Sequence, residues 1–193
     1  MLVLVGKTCV GKDTIRNILV NEYGMERVVT YTSRPPREGE VDGVDYHFIK
    51  LSGKNYFDDK FIFHNLGMAE VTEYNVASGE TWFYGSSVYS YENADNKVII
   101  LNPDGLKAIR KKGIKAFVVW IDSPESLIKG RQMARGDNPE EAERRRNSDL
   151  IDFADISKYT DTCVINWGDG GPERCARTIY NVYEHWRNKN VED

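Results

Sequence analysis

Four consecutive apolar residues, Leu2 to Val5, run into Gly6, the pattern of a strand buried on both faces of a parallel sheet. Thr14 to Tyr23 then reads as a helix. Short apolar runs recur as VVTYT near residue 30, KVIIL near 99, AFVVWI near 119 and TCVIN near 164, most of them followed by helix-compatible sequence. This alternation predicts an α/β fold whose parallel sheet is flanked by helices. Ile179, Val182, Tyr183 and Trp186, spaced three or four apart, predict a last helix lying against that sheet. Trp120 and Trp167 flank strands and read as packing residues.

Two segments break the rhythm. Residues 34–92 are rich in Gly, Tyr and Thr, with short strand-like stretches such as DYHFI and TWFYG between turn residues, and read as an inserted mixed α/β subdomain. Residues 131–147 are almost wholly polar, with no apolar stripe for a core, and read as a mobile flap. The expected organisation is one domain over 1–193, with its core at 1–33, 93–130 and 148–193. There is no internal repeat or Pro/Gly-rich linker to divide it further.

With 193 residues, a net charge of −4, 40% hydrophobic and 29% charged residues, the composition is that of an ordinary globular protein with a sizeable core. It argues against disorder and against a nucleic-acid coat protein. No apolar run approaches the roughly 20 residues that cross a bilayer, and MLVLVGK lacks the basic flank and cleavage site of a signal peptide. A cytoplasmic protein without membrane or nucleic-acid partners is expected. Cys9, Cys163 and Cys175 have no close pairing, which fits a reducing compartment and argues against structural zinc. Metal ligands are therefore sought among oxygens.

The first strand leads into Gly6-Lys7-Thr8-Cys9-Val10-Gly11-Lys12-Asp13-Thr14, a G-x-x-x-x-G-K loop between strand and helix. Its glycines let successive backbone N–H groups face an anion at the helix N-terminus, and Lys12 can reach the β and γ phosphates of a nucleotide. A mere tight turn needs neither two glycines at this spacing nor a lysine. Where Ser or Thr usually follows the lysine to ligate Mg²⁺, Asp13 stands, with Thr14 next. Asp13 is either a water-mediated Mg²⁺ ligand or a carboxylate favoured by the helix dipole, and both readings stay open.

A second cluster, Thr32-Ser33-Arg34-Pro35-Pro36-Arg37-Glu38-Gly39-Glu40-Val41-Asp42-Gly43-Val44-Asp45-Tyr46-His47-Phe48, sets two arginines three apart on a proline-stiffened backbone. Proline lowers the entropy lost on ordering, and each guanidinium offers a planar fork for a second phosphate. The plainer alternative is a rigid solvated loop.

Together the phosphate loop and TSRPPREGEVDGVDYHFI resemble the guanylate kinase family, whose signature runs TTRxPRxGExDGxDYxF, and the likeness extends over nearly the whole chain. The resemblance implies a P-loop core, an inserted subdomain for the nucleoside monophosphate at 34–92 and an arginine-bearing helical lid at 131–147. It implies that Arg34, Arg37, Tyr46 and Tyr84 hold the phosphate of GMP, and that Glu70 accepts the N–H donors of guanine. Ser86 matches the residue that contacts the base, Thr30 sits where a hydroxyl residue is expected, and Asn166 matches the asparagine that touches the adenine of ATP. Lys12, Arg34, Arg131, Arg135 and Arg145 are the expected catalytic cations, because a positioned arginine contributes about 10³–10⁵ in rate to phosphoryl transfer. Arg144 and Arg146 read instead as members of charge pairs along a solvated helix.

Two departures from the family pattern bear on the base. The segment VASGETWF, residues 76–83, is longer than the family's short turn. Ile100 and Asn102 stand where the family's D-x-D places aspartates; Asn102 keeps hydrogen-bonding capacity as a GMP contact, and Asp104 reads as the start of a helix. His47, His64 and His185 have neither triad partners nor metal spacing, and no nucleophilic role follows for Cys9.

The expected activity is therefore transfer of the γ phosphoryl of ATP, with Mg²⁺, to GMP or dGMP in a monomer or homodimer. The alternatives are another or a modified (deoxy)nucleoside monophosphate as acceptor, or a catalytically inactive binding module of the same fold. Such modules typically lose the phosphate loop, whereas Gly6, Gly11 and Lys12 are intact and no accessory domain is expected here.

Overall fold

The structure is a computed structural model that describes residues 1–51, 64, 66–75 and 79–191. The chain divides into two compact units.

The first unit takes in Met1–Arg27, Asp95–Leu106 and Lys115–Asp193. Its five strands are β1 (Leu2–Val5), β2 (Glu26–Arg27), β7 (Lys97–Ile100), β8 (Phe117–Asp122) and β9 (Thr162–Ile165). They form one sheet in the order β2-β7-β1-β8-β9, with every pairing parallel. Strand β1 lies at its centre, and all four of its residues are buried, as its unbroken apolar run requires. Leu2 and Leu4 join Val98, Val119 and Ile121 in a core that the helices α1 (Lys12–Tyr23) and α5 (Gly171–Val191) cover with Ile15, Leu19, Ala176, Ile179 and Tyr183. Each buried Leu, Ile or Val side chain among these contributes on the order of 1.5–3 kcal/mol by leaving water.

Two expectations for packing residues are corrected. Val182 is 37% exposed, because the buried stripe of α5 runs through Ile179 and Tyr183, with Trp186 stacked on Tyr183. Trp167, just past β9, is 65% exposed and does not pack in the core.

The second unit takes in Val28–Ala94 and Lys107–Ile114. Its sheet has the order β4-β3-β6-β5, built from β3 (Tyr31–Thr32), β4 (His47–Phe48), β5 (Met68–Asn75) and β6 (Thr81–Ser87). Strands β3 and β4 are parallel, while β6 runs antiparallel to both β3 and β5. A 3₁₀ turn, Val88–Tyr91, follows β6. The run VVTYT is thus not one strand of the parallel sheet. Pairing with β7 ends at Arg27, and Tyr31 and Thr32 pair with Gly85 and Tyr84 of the other sheet. For that reason residues 28–33, assigned to the core from sequence, belong to the second unit.

The described residues also form three further α-helices, α2 (Pro103–Lys111), α3 (Glu125–Ala134) and α4 (Pro139–Asp152), and a second 3₁₀ turn, Ile156–Tyr159. The polar flap is helical. Gly136, at φ 76°, turns the chain after α3, and Asn138 caps α4 by accepting the N–H groups of Glu140 and Glu141, with Pro139 in the first turn. Among the described residues no helix is long and apolar enough to cross a membrane.

Candidate active site

In the first unit the loop from β1 to α1 is shaped by two glycines with no room for a side chain. A Cβ on Gly6 would lie 2.3 Å from the carbonyl oxygen of Ile121, and one on Gly11 would lie 2.5 Å from Asn166 Nδ2. Gly11 also adopts φ 98°, a left-handed conformation that glycine accepts without strain. Lys12 begins α1 and curls back over the loop, its Nζ donating to the carbonyls of Gly6 at 2.7 Å and Lys7 at 2.8 Å. Burial lowers its pKa, partly offset by Asp13 and Asp149.

Beside this loop lies a cavity of about 210 Å³ lined by Cys9, Gly11, Lys12, Asp13, Thr14, Arg131 and Arg135. Arg131, in the last turn of α3, donates to the carbonyl of Cys9 at 3.0 Å and to Ser123 Oγ at 3.3 Å. Arg135 is held by a forked pair with Asp137, which keeps its pKa up. Burial pushes the Cys9 thiol up, which disfavours the thiolate a nucleophile would need. The structure thus brings together Lys12, Arg131 and Arg135. Arg145 is engaged elsewhere, donating to Glu141 at 2.8 Å, as Arg144 does. Glu141 between these two guanidinium groups is held down to about 2. Arg146 departs from the charge-pair reading and donates to the buried Gln132 at 2.7 Å.

Asp13 pairs with Arg16 at 2.9 Å, its side chain 75% exposed, and the cap of α1 is Gly11. Among the described residues no cluster of three or more His, Cys, Asp or Glu could hold a metal ion. The oxygens of Asp13 and Thr14 at the cavity are few and hard, a set that suits Mg²⁺ arriving with phosphate and water as its other ligands.

Asn166 is fully buried; its Nδ2 donates to the carbonyl of Val10 at 2.9 Å and its Oδ1 accepts Gly168 N–H at 3.3 Å. It ties the end of β9 to the phosphate loop. Asp149, on α4, accepts the backbone N–H of Thr8 at 2.8 Å. Burial raises its pKa against the opposing pull of that bond and of Lys12. Sequence reading did not single out this carboxylate, since an acidic residue on a polar helix carries no pattern of its own. Asn102 Oδ1 accepts Gly105 N–H at 2.8 Å, so it caps α2.

In the second unit the arginine cluster is folded by its own carboxylates. Glu40 accepts Arg34 Nη2 at 2.8 Å and the backbone N–H of Arg37 at 2.7 Å. Asp45 and Asp42 accept the N–H groups of Val41 and Phe48, both at 2.8 Å, which explains the spacing of the acidic residues in EVDGVD. Arg34 is 4% exposed, with its guanidinium over the rings of Tyr46 at 5.4 Å and Phe48 at 5.7 Å. Burial penalises this cation, but Glu40 and the tyrosines hold its pKa above the ordinary value. Arg37 is exposed. The Tyr84 ring lies edge-on to Tyr46 at 6.2 Å, and burial pushes its hydroxyl up. Thr30 is half-buried and its carbonyl accepts His47 N–H at 2.8 Å.

Among the described residues of this unit, Glu70 is the least ordinary carboxylate. Read alone it is a surface acid on a strand, yet it is 7% exposed and accepts Ser86 Oγ at 2.8 Å across β5 and β6. Burial raises its pKa to about 7, against the Ser86 bonds and Lys112. Within the long segment 76–83, residues 76–78 lie outside the described residues, and Thr81, Trp82 and Phe83 extend β6 opposite Asn75, Tyr74 and Glu73.

A family model described as guanylate kinase matches residues 1–166. The guanylate kinase of Symbiobacterium thermophilum is 30% identical over 172 residues, covering 86% of this chain and 77% of the relative. That of Schizosaccharomyces pombe is 29% identical over 179 residues, covering 86% and 82%. Among solved structures, the guanylate kinase of Anaplasma phagocytophilum superposes with a TM-score of 0.64 at 22% identity, covering 96% of this chain and 86% of that one, a likeness of fold.

Proposed function

The chain belongs to the guanylate kinase family, and from that premise we propose that it transfers the γ phosphoryl of ATP to GMP or dGMP, giving the diphosphate and ADP. The observation that carries the guanine assignment is the buried Glu70 carboxylate held by Ser86. Guanine offers N–H donors at N1 and N2 that a carboxylate accepts and that adenine cannot match.

Phosphoryl transfer needs little covalent chemistry from the protein and much charge placement. Lys12, Arg131 and Arg135 supply the cations around the cavity at the phosphate loop, and the loop's backbone N–H groups supply fixed dipoles. Arg34, Arg37, Tyr46 and Tyr84 supply the grip on the acceptor's phosphate, with Arg34 oriented by Glu40. Asp13 and Thr14 are the residues to hold Mg²⁺, which offsets phosphate charge when bound. Arg145 contributes through Glu141 to the order of α4.

A second reading keeps the reaction and changes the base. It rests on Ile100 and on Asn102, whose side-chain oxygen caps α2 where the family pattern has an aspartate. ADP formation from ATP and Mg²⁺ with GMP, dGMP, AMP, CMP, UMP or dTMP offered singly decides between the two. Turnover of GMP or dGMP alone supports the first reading, turnover of another base supports the second, and silence with all six overturns both.

A further inference from the structure

Beyond Ser86, the hydrogen-bond chain that ends on Glu70 has a third member. The Tyr91 hydroxyl, at the end of the 3₁₀ turn after β6, lies 2.5 Å from Ser86 Oγ, which in turn lies 2.8 Å from Glu70 Oε1. Ser86 carries a single hydroxyl proton, and while Glu70 is ionised that proton goes to the carboxylate. The lone pairs of Ser86 Oγ are then left to accept, and Tyr91 must be the donor. The order Tyr91 → Ser86 → Glu70 is the one arrangement in which each hydroxyl donates once and the carboxylate only accepts. When Glu70 is protonated the order can reverse, with the carboxylic acid donating to Ser86 and Ser86 to Tyr91.

We propose that Tyr91 is a positioning residue for base recognition, whose hydroxyl, donating through Ser86, holds Glu70 as an ionised acceptor for the N–H edge of the acceptor's base. The inference rests on the reading of Glu70 as the base-recognising carboxylate. Aligned hydrogen bonds polarise one another, so a phenolic donor on the far side of Ser86 strengthens the bond that Ser86 gives to the carboxylate. Such a donor matters most where the carboxylate is hardest to keep ionised. Glu70 meets that condition, because it is buried and titrates near neutrality. Among the described residues, the titratable groups facing it are Tyr91 from the 3₁₀ turn and Lys112 just past α2, which favours the ionised form and donates to the carbonyl of Ala69. The Tyr91 hydroxyl is itself pushed up by burial and by the Glu70 charge, so it stays protonated and available to donate through the neutral range in which Glu70 titrates.

Tyr91→Phe removes the hydroxyl and keeps the ring. With saturating ATP and Mg²⁺, KM for GMP is expected to rise about 5-fold at pH 6.5 and to return to within about 2-fold of wild type at pH 8.5, with kcat within about 2-fold at both. A purely structural role would raise KM equally at both pH values, and that result, or no change at either, overturns the proposal. The titration of the Glu70 carboxyl carbon, followed by NMR in wild type and variant without nucleotide, reads the same effect directly. The midpoint is expected to rise by about 0.8 of a unit in the variant, the shift a 5-fold loss of ionised Glu70 at pH 6.5 requires, and an unchanged midpoint overturns the proposal. If wild type does not turn over GMP, the reading of the substrate fails while the titration still decides the role of Tyr91. Should Tyr91→Phe not fold, 3-fluorotyrosine at position 91, a stronger donor of the same shape, is expected to lower the midpoint, and a rise or no change counts against the proposal.

Discussion

Asp149 Oδ2 accepts the backbone N–H of Thr8 at 2.8 Å, so a carboxylate carried by α4 is bound into the phosphate loop. This places a negative charge beside Lys12 in the loop proposed to receive phosphates. Asp149→Asn keeps an oxygen to accept the N–H and removes the charge. Apparent affinity for ATP should rise about 2- to 5-fold, read as KM at fixed GMP, because like-charge repulsion with the triphosphate is removed. An unchanged or weaker affinity would show that the charge is not felt by the bound nucleotide. Asp149→Ala, which also leaves the Thr8 N–H without its acceptor, should instead lower thermal stability.

Lys12 is buried with its ammonium on two loop carbonyls. Lys12→Ala should reduce kcat by at least about 10²-fold, since one preorganised charge at a transferring phosphoryl is worth that much or more. Steady-state assays with a circular-dichroism check of folding measure it. Retention of a rate within about tenfold of wild type would count heavily against the mechanism.

Much of this was legible in the chain itself. The β1–loop–α1 unit reads directly, because an apolar run, two glycines at fixed spacing and a lysine each have one physical use there. The fate of VVTYT was not legible: apolar character says that residues 28–32 are covered, and not which sheet pairs with them. Exposure of Val182 was hidden for a similar reason, since helical spacing marks a face about as wide as two neighbouring positions, while Trp167 follows β9 in a segment with no periodicity to place it. A contact such as Thr8–Asp149 joins residues far apart in the sequence, and no local pattern announces it.

Arg34 and Arg37 should separate by phenotype. Arg34 is buried against Glu40, Tyr46 and Phe48, whereas Arg37 is exposed and is tied through its backbone. Arg37→Ala should raise KM for GMP about tenfold with little loss of stability. Arg34→Ala should do the same and also lower the melting temperature, because it leaves Glu40 without its cation and two rings without their cover. Equal melting temperatures for the two variants would contradict the packing role of Arg34.

The arginines of the flap should also divide. Arg131 lines the cavity and holds the Cys9 carbonyl, while Arg144 pairs with Glu141 on α4. Arg131→Ala is expected to lower kcat by about 10²–10³-fold. Arg144→Ala should stay within about 3-fold of wild type, as expected for one member of a partly exposed pair. A comparable loss in both, measured at saturating substrates, would mean that the division drawn from their partners is wrong.

Glu70 should trade stability for recognition. Its carboxyl titrates near 7 in the folded protein, above its ordinary value of 4.5, because burial disfavours the charge. Between those values the native state holds a proton that the unfolded chain has released, so stability falls as pH rises through this window and stays lower above it. Ionised Glu70 then costs on the order of 3 kcal/mol at pH 8, with almost nothing lost at pH 4. Glu70→Gln, isosteric and neutral, removes that cost while Ser86 can still donate to its side-chain oxygen. The variant should melt about 6–12 °C above wild type at pH 8 and close to it at pH 4. Its GMP turnover should fall steeply, because one carboxylate oxygen is replaced by an amide that donates where guanine also donates. Thermal melts at both pH values, together with KM for GMP, test the two halves separately. A stability gain of equal size at both pH values would trace the effect to packing and not to the buried charge.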